Sequence, residues 1–224
     1  MTEAEIDAAL GRAEAAVERG EGLQDTGFWK AVSEVKRTPE LVDRFAPRIA
    51  DIDRRAFEQW ALMTLPYGTG LGIMAAATAA GTTAIAFSSR LRAPANWLVF
   101  GTGTAAVLVA SHSVGHLIVG KAMGIRFTHW FVGQATQPQP GVKVDYDSYL
   151  RTSARHRALM HAAGALVTKV MAFVAIPVAR LTGQPRWVRR LVTAFAFGAV
   201  TTDLLWSVHK SDWKKVKREL GYSG

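Results

Sequence analysis

Charged and apolar positions are segregated along the chain: charges crowd the stretch before Gln59, and long charge-free blocks follow it. No charged residue interrupts Gln59 to Ser89, 31 residues, or Ala93 to Gly120, 28 residues. Each exceeds the roughly 20 residues needed to cross a bilayer as a helix. Ala158 to Ala179 is broken only by Lys169, and Leu191 to His209 only by Asp203. These read as two further spans, each carrying one ionisable side chain. The pattern predicts an all-α, polytopic membrane protein with about four transmembrane helices, near 61–88, 95–120, 158–179 and 191–209. Residues 1–58 form a cytoplasmic or peripheral helical region, 59–209 the membrane domain and 210–224 a basic cytoplasmic tail. The first apolar block lies too deep in the chain, and is too long, for a cleaved signal peptide, so the expectation is a protein that keeps its full length.

The amino-terminal region shows helical periodicity. Ile6, Leu10, Ala13 and Val17 form an apolar stripe that stops at Gly20. Thr38-Pro39-Glu40 matches an N-cap followed by proline at the first helical position. Ile49, Ile52, Ala56 and Trp60 carry the periodicity toward the membrane. The expectation is an amphipathic lid or partner surface on the cytoplasmic leaflet, with no catalytic group. Gln137 to Gly141 is a turn-rich connector within a loop.

The formal net charge of +9 brings nucleic acid to mind, and its distribution argues against it. Residues 1–58 hold nine Lys/Arg against thirteen Asp/Glu, whereas residues 59–224 hold eighteen against five. The excess cations flank the apolar blocks, where basic residues fix orientation and meet anionic head groups. With the amino end inside and Arg44, Arg48, Arg54 and Arg55 counted too, fifteen basic residues near the membrane fall on the cytoplasmic face and six on the other. This predicts a multi-pass protein of the cell membrane with both termini cytoplasmic, bound to anionic lipid and not to nucleic acid. Arg186, Arg189 and Arg190 sit awkwardly on the outer side. The absence of cysteine excludes disulfides, thiolate metal sites and cysteine nucleophiles.

Within the second apolar block, His112 and His116 are four residues apart and share one helical face. Counting inward from Lys121 and Lys210 at about 1.5 Å per residue places His112, His116 and Asp203 at a common level. Two histidines and a carboxylate from another helix make a three-ligand zinc set with a fourth position open, which is a catalytic arrangement in type. The residues equally suit a metal-free polar network. His161 lies at the depth of His116, as an added ligand, a hydrogen-bond partner or an interfacial histidine. Lys169 must pair, snorkel or lose its proton, and Asp203 is the obvious partner. If those two pair, the carboxylate is withdrawn from the metal. In the loop 121–157, Phe127, His129, Trp130, Phe131, Tyr146 and Tyr149 read as boundary anchors.

His112-Ser113-Val114-Gly115-His116, followed by Leu117-Ile118-Val119-Gly120, resembles the first motif of the site-2 protease family of intramembrane zinc metalloproteases, with serine where that family carries glutamate. Gly164 to Thr168 corresponds to its middle motif, with the glycine kept and Thr168 in place of asparagine. Asp203 stands where the family's late span supplies its aspartate. The resemblance covers roughly residues 95–215. It implies zinc on His112, His116 and Asp203, with Ser113, His161, Thr168 and Lys169 around the site, and a cytoplasmic loop that offers a strand edge to substrate. A serine hydroxyl cannot act as the general base that the glutamate provides, and losing such a base costs about 10²- to 10⁴-fold. The expected role is therefore a metal-binding or client-binding pseudoprotease without a catalytic residue. Two alternatives stay open: an active metalloprotease using another base, with Asp145 and Asp147 as candidates, and a small transporter or channel subunit built on a buried His/Asp/Lys cluster.

Overall fold

The computed structural model describes residues 1–134, 140–203, 205 and 212–222. The chain is mostly helical and divides into two units, one of Met1–Gly70, Lys121–Arg157 and Gly221–Gly224, the other of Leu71–Gly120 and Ala158–Leu220.

The first unit opens with α1 (Glu3–Glu18), whose end is closed by a capping box. Thr2 accepts from the Glu5 amide at 3.2 Å, and the Glu5 carboxylate accepts from the Thr2 amide at 2.7 Å, which satisfies two otherwise orphaned donors. α2 (Phe28–Arg37) begins from Gly27 at φ 83°, a left-handed conformation that glycine adopts without steric cost. α3 (Pro39–Trp60) has Pro39 in its first turn, as the sequence predicts. The apolar stripes of the three helices turn on one another: Ile6, Leu10, Val17, Phe28, Val35, Phe45, Ile49 and Ile52 form one buried core. These faces are thus spent on internal packing instead of lying open to a leaflet. Arg48 on α3 clamps α1 through Asp7 at 3.0 Å and Glu14 at 2.7 Å.

An all-α fold was expected, and the first unit departs from it. β1 (Met63–Pro66), β2 (Phe127–Val132) and β3 (Pro140–Val144) form an antiparallel sheet in the order β1-β2-β3, with Leu65 opposite Trp130 and Trp130 opposite Val142. β2 reads Phe-Thr-His-Trp-Phe-Val, a run of residues that fit a pleated surface, and Pro66 ends an edge strand where its missing N–H costs nothing. Because Met63–Pro66 pairs with β2, the first apolar helix starts at Tyr67 and not near residue 61. The loop aromatics make contacts within this unit. Phe131 meets the Phe57 ring edge-on at 4.9 Å, and Lys36 lies 4.9 Å from the Tyr149 ring and 5.3 Å from the Tyr222 ring. α6 (Tyr146–Arg151) is capped by Asp145, which accepts from the Ser148 amide. Most of the connector from Gln137 to Gly141 lies outside the described residues.

The second unit is built on α4 (Tyr67–Ser88), α5 (Ala95–Ala122), α7 (Ala154–Leu181), α8 (Arg186–Thr202) and α9 (Asp212–Leu220). α4, α5 and α7 are each long and apolar enough to cross a membrane. The fourth expected span, 191–209, is helical as far as Thr202, and residues 204 and 206–211 lie outside the described set. Small residues bring the helix backbones together. A Cβ on Gly81 would sit 2.8 Å from the Gly103 carbonyl, and one on Gly115 would sit 2.9 Å from that of Ala163. Such approaches substitute packing for the hydrophobic force that lipid does not supply between helices. Outward positions such as Val109, Ile118, Val170 and Phe197 are apolar and exposed, as a lipid-facing surface requires.

Candidate metal site

The i, i+4 spacing places His112 and His116 one turn apart on α5, with ring centroids 4.8 Å apart. Their Nε2 atoms face each other at 3.2 Å. Each also lies 3.3 Å from the same carboxylate oxygen, Oδ2 of Asp212, the first residue of α9. His112, His116 and Asp212 together can hold a metal ion. In a tetrahedral zinc site with bonds of about 2.0 Å, neighbouring ligand atoms stand about 3.3 Å apart, so this triangle has the edge length of one tetrahedral face.

The opposite sides of the two rings explain why Nε2 is the free atom. His116 Nδ1 donates to the Met160 carbonyl at 2.8 Å, and that oxygen can only accept. Thr168 donates its own hydroxyl hydrogen to the Gly164 carbonyl at 3.0 Å, so its oxygen accepts from His112 Nδ1 at 3.1 Å. Both imidazoles therefore carry their neutral-state proton on Nδ1, and their Nε2 lone pairs converge on a carboxylate. Three acceptors aimed at one point repel unless a cation, either a metal ion or a proton on one ring, lies among them. Holding the far nitrogen of each histidine is how protein ligands are oriented for a metal.

Packing fixes the rings further. A Cβ on Gly164 would sit 2.3 Å from His116 Nε2, so the glycine makes room for the imidazole. Ser113, between the histidines in sequence, is buried. The His112 side chain is 39% exposed against 13% for His116 and 12% for Asp212, so the cluster is reached from the His112 side. Burial by itself would raise the Asp212 carboxyl. A proton shared from His112 or His116 Nε2, together with the Lys215 ammonium at 3.0 Å, instead holds it well below the usual carboxylate range, so the carboxylate stays ionised when a cation lies among the three atoms.

Asp203, expected as the third ligand, stands elsewhere. It is ion-paired with Lys169 and accepts from Trp213 Nε1 at 2.6 Å. Lys169 also donates to the Ala165 carbonyl at 3.1 Å. A buried lysine needs a counter-charge more than a metal site needs that particular carboxylate, because an isolated ammonium is costly to bury. Trp213 and Asp212 are adjacent, so the contact to Asp203 helps set Asp212 against the histidines. His161 lies 6.4 Å from His116 between ring centroids, outside the three-atom cluster. Asp145 and Asp147 belong to the first unit, where both pair with Arg126, at 2.7 and 3.2 Å.

Asp212 is the candidate ligand that the sequence reading did not single out. Only Asp203, Asp212 and Glu219 carry carboxylates after Asp147, so the choice was short, but Asp212 lies in a Lys-rich tail that reads as a lipid anchor. Comparison with protein-family models, curated proteins and solved structures finds nothing that matches this chain.

Proposed function

We propose that this is an integral membrane protein of site-2-protease-like design whose His112–His116–Asp212 cluster holds zinc and joins α9 to α5, without hydrolysing peptide bonds. The observation that carries the reading is the convergence of three acceptor atoms on one point with both Nδ1 atoms already committed. The carboxylate is not the one that the resemblance implies, so the metal assignment rests on this geometry and not on the motif. Histidine and carboxylate suit zinc among the divalent ions, and the fourth position is left to water or a client group.

Four spans, the last over 191–209, and cytoplasmic termini complete the proposal, with the basic tail meeting anionic lipid. A bound zinc would supply a Lewis acid and a polarised water. Proteolysis further requires a group that takes a proton from that water and returns it to the leaving amine. Ser113 occupies the position of that group and cannot perform the transfer. Asp145 and Asp147 are engaged with Arg126. The role left is to bind or retain a membrane client at the more open His112 side.

Single-turnover cleavage of a membrane-embedded peptide separates the alternatives. Wild type and His112→Ala should both leave the peptide intact, and Ser113→Glu should be the variant that gains cleavage, dependent on zinc. Ready cleavage by wild type, lost in His112→Ala, would overturn the proposal and require another base.

A further inference from the structure

The six arginines at the loop end of the second unit take no part in the metal site. Arg90 and Arg92 lie between α4 and α5, and Arg180, Arg186, Arg189 and Arg190 flank the turn between α7 and α8. Two contacts bring the loops to one place. Gln184 donates to Ser88 at 3.1 Å, and the Trp97 and Trp187 rings meet edge-on at 5.2 Å. The sequence has no carboxylate between Glu58 and Asp145, nor between Asp147 and Asp203. No acidic side chain of either loop is therefore available to neutralise six cations.

Beside these loops runs an apolar groove of about 400 Å³ between α5, α7 and α8. Trp97 and Trp187 stand toward its arginine end, Phe100, Leu108 and Phe195 line its length, and Ala172 and Ala175 leave it space. From Trp97 to Leu108 it follows α5 for about 16 Å at 1.5 Å per residue. That is about half of a 30 Å hydrocarbon core, the depth of one leaflet. Tryptophan at the mouth is the side chain expected at the head-group level.

We infer that this groove binds one acyl chain of an anionic glycerophospholipid, whose phosphate and head group are met by the arginines of the two loops. The length and lining fit a chain from a single leaflet, and the uncompensated charge selects an anionic head group over a zwitterionic one, whose choline would add a further cation. The lipid also accounts for a cluster that the usual cytoplasmic bias of basic residues disfavours on this side. The inference is independent of the metal proposal, since neither the groove nor the arginines include a residue of that cluster.

The test is the thermal midpoint of the full chain in neutral detergent on addition of phosphatidylglycerol, phosphatidylcholine or inorganic phosphate. Phosphatidylglycerol should raise the midpoint by several degrees, phosphatidylcholine by less than half as much, and phosphate not at all. Arg186→Gln/Arg189→Gln/Arg190→Gln should respond equally to both lipids, and Arg90→Gln/Arg92→Gln should show a reduced preference. Gly101→Leu, whose new Cβ meets nothing within 4 Å and whose side chain fills the groove, should weaken both lipid responses. Lys214→Gln/Lys217→Gln, in the tail, should behave as wild type. Equal responses of wild type to the two lipids would overturn the inference, as would a preference kept by both arginine variants or lost in the tail variant. Phosphate matching the lipid would also overturn it, and so would Gly101→Leu changing oligomeric state while leaving the lipid response intact.

Discussion

Lys169 and Asp203 are ion-paired within the helices of the second unit, and Trp213 Nε1 donates to the same carboxylate at 2.6 Å. Removing one partner of such a pair leaves the other charge stranded, at a cost of about 3 kcal/mol. Asp203→Asn should therefore lower the thermal midpoint clearly. Lys169→Met/Asp203→Asn should recover much of the loss, because no unmatched charge remains. A double variant no more stable than Asp203→Asn would show that the pair does not carry this cost.

The atoms behind the histidines should matter nearly as much as the ligands. Thr168→Val keeps the shape of the side chain and removes the acceptor for His112 Nδ1, which should weaken zinc affinity by about 10- to 100-fold. Gly164→Ala places a methyl group in the space of the His116 ring and should weaken it more. Competition with a chelator of known affinity reads both. Unchanged affinity in both variants would mean that these contacts do not orient the ligands.

Acid should loosen α1 in a definite window. A hydrogen bond from the Arg48 guanidinium is the main influence that holds the Glu14 carboxyl below its ordinary value of 4.5. A carboxyl lowered in the folded state stabilises the fold above its unfolded value, and that contribution disappears as pH falls through the folded value. Because both side chains are about one-third exposed, the contribution is about 0.5–1 kcal/mol. Amide exchange in α1 should quicken by a few-fold as pH drops below 4.5, after correction for intrinsic rates, and Glu14→Gln should exchange faster than wild type only above that window.

Orientation can be read directly, since the chain has no cysteine to confuse a labelling experiment. Ser89 and Gly22 are both exposed, at the end of α4 and just after α1. A membrane-impermeant thiol reagent added to intact cells should label Ser89→Cys and leave Gly22→Cys untouched until the membrane is opened. The reverse pattern would invert the topology.

Much of the helical framework was legible because its signals are local. The stripe of Ile6, Leu10, Ala13 and Val17, the proline at position 39 and the uncharged block beginning at Ala93 each appear in the structure as a buried face or a helix boundary. The sheet was not legible. Met63–Pro66 lies inside a charge-free run that begins at Gln59, so hydropathy merges the strand with the following helix, and its pairing with β2 spans more than 60 residues. The site was half legible. The spacing of His112 and His116 fixes a shared helix face without any tertiary information. The carboxylate depends on how α9 returns to α5, and depth along a helix axis cannot choose between Asp203 and Asp212 when a lysine competes for one of them.

The central claim is that Asp212, with His112 and His116, holds a metal ion, and the zinc-to-protein ratio of gently purified wild type, Asp212→Asn and Asp203→Asn tests it most directly. About one zinc per chain is expected in wild type and in Asp203→Asn, with loss in Asp212→Asn, because two histidines alone rarely retain the ion. Wild type without metal, or Asp212→Asn retaining as much as wild type, would contradict the account.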